Sequence, residues 1–252
     1  MQWSDEIENK PSEEKDTRSE IYEKGESAIM AKFEWVKKFP AEERGVRIFG
    51  AIFETLAVLE NIEKHPETDL QSKTRKLIEE LYEKAAITLG EEWASRPDDV
   101  SVGFDTDGHL EIQEILEIKT SVKALNHGLE KKQSQPQNSI QTIEKIVELI
   151  NSMINAPDID SVEAIGKLGY RQSYRKNYLI KTFKRIEEMR LTENISFSSD
   201  LQYHVILPDK ELNNIPKFEV THKGRPIKTI ITTSQFSKKN IHAIIDHYQE
   251  TP

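Results

Sequence analysis

The sequence predicts a mixed α/β fold: a central sheet flanked by helices, with a helical N-terminal half. Three observations carry this. Apolar residues recur at helical spacing through residues 18–93. The period changes to two at Val100, Val102 and Phe104. Further alternating runs return only near the C-terminus, after two more helical stretches.

Residues 1–17 are acidic, lack periodicity and contain Pro11, so they read as a disordered tail, with 18–252 as a single domain. The first helix follows Ile21, Ile29, Phe33 and Val36, and Pro40 ends it. A second carries Ile48, Ile52, Leu56 and Leu59 to about His65. Thr68 or Asp69 caps a third, through Leu70, Leu77, Leu81 and Ile87 to about Trp93. Val100–Phe104 and Leu110–Lys119 then read as two strands joined at Asp107-Gly108, the dipeptide favoured in two-residue hairpin turns. A short helix covers 121–131, a loop 131–139, and a helix capped by Ser139 runs from Ile140 to Ile154. Tyr170–Arg190 is a basic helix, Leu201–Leu207, Lys217–Thr221 and Ile227–Thr232 are strands, and a last helix covers Lys238–His247.

Composition narrows the chemistry. The chain has 252 residues, 36% hydrophobic, and no apolar run near the ~20 residues that span a bilayer. The polar, acidic N-terminus does not read as a signal peptide. With no cysteine, disulfides, zinc–thiolate sites and thiol nucleophiles are excluded, and a reducing cytoplasm is the expected compartment. The net charge of −9 excludes a general positive coat, but the charge is segregated: residues 170–190 hold seven bases against Glu187 and Glu188. There is no GxSxG, no phosphate-binding P-loop, no dinucleotide fingerprint, and no metal-ligand spacing among the seven histidines.

The hairpin carries the sharpest chemical reading. A two-residue Asp107-Gly108 turn pairs residues whose numbers sum to 215, so Asp98 opposes Glu117 on one sheet face. Two adjacent carboxylates repel unless a positive group lies between them, and a hard divalent cation fills that need. Lys119, two residues beyond Glu117, points to the same face. Two carboxylates and a lysine suit activation of water against a phosphodiester. Asp99 points to the other face, and Asp105, displaced by that register, is a reserve metal ligand. The competing reading is a salt-bridge cluster on an exposed sheet face.

Pro97-Asp98, followed after a gap by Glu117-Ile118-Lys119, resembles the signature of the PD-(D/E)xK nuclease superfamily, the restriction-endonuclease-like group that includes RecB-type and lambda-type exonucleases and junction resolvases. The resemblance implies a mixed four-stranded core sheet flanked by helices, with the acidic hairpin at its centre. It implies Asp98 and Glu117 as ligands of Mg²⁺ or Mn²⁺, the Ile118 carbonyl as a further ligand, and Lys119 as the residue that positions or activates water. Many members carry a glutamate on the helix before the hairpin. Glu54 fits it, with Gly50 one turn earlier leaving room for the carboxylate. Some carry a glutamine after the hairpin, for which Gln137 and Gln141 stand in the right region. The expected activity is metal-dependent nuclease, on DNA ahead of RNA, with a homodimer or partner protein allowed. The alternative is a nucleic-acid-binding or protein-interaction domain with a degenerate form of this fold.

Tyr170, Tyr174 and Tyr178 recur every four residues beside Arg171, Arg175 and Lys176, a pattern suited to base stacking and phosphate contact, or to a tyrosine stripe packed on the core. Thr221–Arg225 reads as a hairpin tip with exposed cations.

Overall fold

The structure, a computed structural model, describes residues 12–83, 96–130, 135–161, 173–208, 215 and 217–250. Three helices come first: α1 (Ser12–Val36), α2 (Ala41–Lys64) and α3 (Asp69–Glu83). The hairpin β1 (Asp99–Phe104) and β2 (Leu110–Ile118) follows, then α4 (Val122–Glu130), α5 (Gln135–Ile154) and α6 (Ser173–Met189). β3 (Ser196–Pro208), β4 (Val220–His222), β5 (Arg225–Ser234) and α7 (Lys238–Glu250) complete the chain. The strands form one mixed sheet in the order β1-β2-β3-β5-β4. β2, β3 and β5 run parallel, and β1 and β4 are antiparallel edges.

Both faces of the sheet are covered, so consecutive residues are buried along the end of β2 (115–118) and of β3 (205–208). Val100, Ile112, Ile115, Tyr203 and Val205 pack with α3, α5 and α6. Leu116, Ile118 and Ile206 face the other way, onto α1, α2 and α7. This mixed α/β architecture with a helical N-terminal half is the one the periodicities predict. The acidic hairpin, however, is not central: β1 is an edge strand, and only β2 lies inside the sheet. No helix among the described residues is long and apolar enough to cross a membrane.

Several boundaries differ from expectation: β4 is Val220–His222 rather than Lys217–Thr221, and β5 extends the expected Ile227–Thr232 to Arg225–Ser234. α1 starts at Ser12, inside the stretch read as a tail. α5 starts at Gln135, so Pro136 lies in its first turn, where the missing N–H costs nothing. β3 begins five residues before Leu201. α3 starts as expected: Thr68 Oγ1 accepts the Gln71 N–H at 3.3 Å and Gln71 Oε1 accepts the Thr68 N–H at 2.7 Å, a reciprocal cap. The expected extension of α3 to Trp93 and the basic residues 170–172 fall outside the described residues.

The hairpin register holds by compensation. Phe104 pairs with Leu110, and the Asp105 N–H donates to the His109 carbonyl at 2.9 Å, leaving Thr106, Asp107 and Gly108 as a three-residue loop. Only Gly108 is left-handed there, with φ of 87°, closing a turn in which its N–H donates to the Asp105 carbonyl. That loop shifts the pairing sum from 215 to 214. Val102 pairs with Ile112 and Ser101 with Glu114, so Gln113 is an unpaired bulge that restores 215 for Asp99–Leu116. The two-residue turn does occur, but between β4 and β5, where Lys223 and Gly224 take φ of 48° and 74° and His222 pairs with Arg225.

Because the two irregularities cancel, deleting Thr106 and Gln113 together leaves Asp98 across from Glu117. The doubly shortened protein is expected to fold with the Val100–Ile115 pairing intact, as read from cross-strand NOEs. Loss of that pairing would mean that the bulge itself sets the register.

Candidate active site

Glu117 is a charged side chain with 0% exposure in the middle of a sheet, which excludes the exposed salt-bridge reading. Buried carboxylates are ordinarily held by hydrogen-bond donors on their oxygens. Glu117 Oε1 accepts from Lys119 Nζ and, at 2.7 Å, from Gln135 Nε2. Its Oε2 accepts from the buried Tyr203 hydroxyl at 2.9 Å. β2, β3 and the start of α5 therefore all converge on one carboxylate.

Asp98 sits one residue before β1. Its N–H donates to the Leu116 carbonyl at 3.0 Å, and its carbonyl accepts from the Tyr82 hydroxyl at 3.2 Å. Its Oδ2 accepts the Ile118 N–H at 2.5 Å. Burial, then the neighbouring Glu117, push the Asp98 carboxyl well above the usual carboxylate range, against the pull of Lys119. Burial alone would push the Lys119 ammonium down, but Glu117 and Asp98 hold it above its ordinary value. Lys119 is thus a cation throughout the neutral range, suited to orienting a nucleophile and supplying charge rather than to removing a proton.

Glu54 of α2 belongs to the same electrostatic group. It raises Asp98, and Lys32 and Lys119 pull it down, while burial pushes it up. Glu54 and Asp98 both line a cleft of about 650 Å³ whose wall also includes Lys32 and Trp35 of α1, Tyr82 of α3, Arg96 and Gln135. Glu117 does not line the cleft, but its partner Gln135 does. Gly50 does not make room for Glu54: a Cβ there would meet the Thr120 methyl at an ordinary 3.7 Å.

The donor set fits a hard divalent cation. Glu117 lies close enough to Asp98 to raise the Asp98 carboxyl, and Lys119, paired with Glu117, pulls it down. Glu54 does not close a direct three-carboxylate cage with them, since among the described residues only Asp105, Asp107 and His109 bring three ligand atoms within 4.8 Å. That exposed trio lies at the hairpin tip. Asp105 Oδ1 there accepts the N–H groups of Asp107 and His109, each at 2.9 Å, which holds Asp105 below the usual carboxylate range. The reserve ligand is therefore a turn-former remote from Glu117.

The glutamine at the site is Gln135, not Gln137 or Gln141. Gln137 instead bonds the Thr221 backbone in both directions, tying α5 to β4. Gln141 is half-buried on α5. The signal for Gln135 was Pro136, which marks a helix start as readily as a loop. Tyr203 was also missed; a tyrosine among Leu201, Val205 and Leu207 is an aromatic whose hydroxyl needs a buried acceptor. Gly128 matters here, because a Cβ on it would fall 2.7 Å from Gln135 Oε1.

The basic helix α6 is partly committed to structure. The Tyr178 hydroxyl donates to the Glu80 carbonyl at 3.0 Å, Arg185 pairs with Glu80 at 2.5 Å, and Lys176 lies 3.7 Å from Asp160. Tyr174 and Arg175 fall in its first turn, and Arg171 lies outside the described residues. No described residue of α6 lines the cleft.

Comparison with protein-family models, with curated proteins and with solved structures finds no match to the chain.

Gln135→Ala is expected to leave the fold intact and weaken metal binding about tenfold, the usual scale for a partner that orients a ligand. Isothermal titration with Mn²⁺ measures it, and an unchanged affinity would make Gln135 a packing residue only.

Proposed function

We propose that this protein is a metal-dependent nuclease of the PD-(D/E)xK type, acting in the cytoplasm on phosphodiester bonds of DNA ahead of RNA. The observation that carries the reading is the fully buried Glu117, held by Lys119, Gln135 and Tyr203 and close to Asp98, with Asp98 and Gln135 both lining an open cleft. Burying a carboxylate in a sheet core and crowding it with a second one is costly for stability, and such placements cluster at functional sites. α2, a helix upstream of the hairpin, contributes Glu54 to the same cleft, in keeping with the resemblance.

Asp98 and Glu117 would hold Mg²⁺ or Mn²⁺, with the Ile118 carbonyl as the third protein ligand implied by the resemblance. The cation supplies a water of lowered pKa and charge stabilisation at the phosphate. Lys119 orients the attacking water and offsets negative charge as it develops. Gln135 and Tyr203 fix the Glu117 carboxylate. Lys32 and Arg96, at the cleft wall, meet the phosphates on either side of the scissile bond.

The test is incubation of the purified protein with single- and double-stranded DNA and with RNA, in Mg²⁺, Mn²⁺ or EDTA. Cleavage is expected in metal, absent in EDTA, and lost in Asp98→Asn. Binding without cleavage under every condition would favour the degenerate, non-catalytic alternative, and cleavage indifferent to EDTA or to Asp98→Asn would overturn the site.

A further inference from the structure

On the other side of β1 a second cavity, of about 590 Å³, opens between the α2–α3 connection, β1, β2 and the first half of β3. It is separate from the cleft: Asp98 lines the cleft, whereas Asp99 and Ser101, on the opposite side of the strand, line this cavity. Its size falls within the range of small-molecule sites.

Its lining is rich in hydrogen-bond acceptors. Glu67, Asp99, Glu111, Glu114 and Asp200 face only two cationic side chains, Lys64 and Arg75. Both cations are already paired. Lys64 Nζ lies 2.6 Å from Glu60, and Arg75 bridges Glu67 at 3.0 Å and Asp99 at 3.3 Å. The decisive group is Asp99, 2% exposed. Its Oδ1 takes the Arg75 guanidinium and the Val100 N–H, while its Oδ2 has no hydrogen-bond partner among the described residues. A buried carboxylate oxygen left without a donor is destabilising, so the cavity lacks a donor that a ligand would bring.

Charge narrows the ligand. Anions are repelled by the carboxylate excess. A bare divalent ion lacks a cage, because no three acidic or histidine ligand atoms converge here among the described residues. We propose that this cavity binds a small organic cation, an alkylammonium of the diamine class, with one ammonium donating to Asp99 Oδ2 and a second reaching Glu111 or Asp200 nearer the surface. The site is independent of the nuclease reading and stands or falls without it.

Isothermal titration of the full chain in EDTA, with 1,4-diaminobutane as the probe, tests this. Saturable one-site binding is expected, with no heat from the isosteric 1,4-butanediol. Glu111→Gln and Asp200→Asn, which retain side-chain volume, should each bind several-fold more weakly, and Asp99→Asn about tenfold or more, the scale of one lost charge-assisted hydrogen bond. Circular dichroism confirms that each variant is folded; if Asp99→Asn fails that check, the two rim variants decide. Absence of saturable binding at millimolar diamine, equal affinity in the rim variants, or equal binding of the diol would each overturn the proposal.

Discussion

Lys119→Ala will lower metal-dependent cleavage by about a hundred- to a thousandfold, the scale of losing one charge aimed at the transition state, and will also make the fold's stability strongly pH-dependent. Lys119 is the positive charge directly on Glu117, and it also attracts Asp98 and Glu54. Removing it leaves carboxylates buried without a counter-charge, which typically costs about 3–5 kcal/mol. The sign with pH follows from proton counting. In the parent Asp98 already keeps a proton beyond about pH 4, where the unfolded chain releases it, and without the pull of Lys119 the folded variant keeps that proton to still higher pH. The folded state thus binds more protons, and stability falls as pH rises from that point. Urea unfolding at pH 5.5 and pH 8 should show a deficit against the parent that is small at the lower pH and large at the higher. Saturating Mg²⁺ should stabilise Lys119→Ala more than the parent at pH 8, because the cation restores the missing charge. Cleavage that survives the substitution would remove Lys119 from the site, and a pH-independent deficit would remove it from the carboxylate pair.

That Asp98 and Glu117 come close to one another was legible in the sequence, though the turn arithmetic behind it was incomplete. It missed both the third loop residue and the Gln113 bulge, and the two cancel. The bulge had left a trace. Apolar positions fall at Leu110 and Ile112 and then at Ile115, a slip from even to odd that a regular strand facing one core cannot show. Other features were hidden for physical reasons. That β1 lies at the edge depends on long-range pairing of β2 with β3, about ninety residues apart in sequence, which no local pattern encodes. Gln137 and Gln135 have the same residue type two positions apart on one helix turn. Only the packing of α5 decides that Gln135 meets Glu117 and Gln137 meets the β4 backbone. The tyrosine stripe on α6 was ambiguous between core and nucleic acid, and Tyr178 goes to α3.

Arg75→Ala is expected to cost about 3–5 kcal/mol at pH 8, the usual cost of leaving one partner of a buried ion pair alone. The partner is Asp99, the neighbour of the candidate ligand Asp98, 3.3 Å from the guanidinium and 2% exposed. Even with Arg75 present, burial pushes the Asp99 carboxyl up to about 7. Without the guanidinium it rises further. The folded state then keeps a proton that the unfolded chain loses near pH 4, so the variant's stability declines as pH climbs from there to beyond 7, whereas the parent's decline from this group ends near 7. The gap between them should therefore be small at pH 5 and widest at pH 8, as read from urea midpoints. Replacing both partners, Arg75→Met with Asp99→Leu, should recover most of the loss, because an apolar pair of similar volume needs no counter-charge. A gap that does not change with pH would show that the loss comes from Arg75's packing rather than from Asp99. The dipeptide Asp98-Asp99 divides its work by strand alternation: the grip of Arg75 on Asp99 turns Asp98 toward the cleft. Cleavage per folded molecule should accordingly fall in Arg75→Ala even below its unfolding transition, and recover in the double variant only as far as the apolar pair holds β1 against α3.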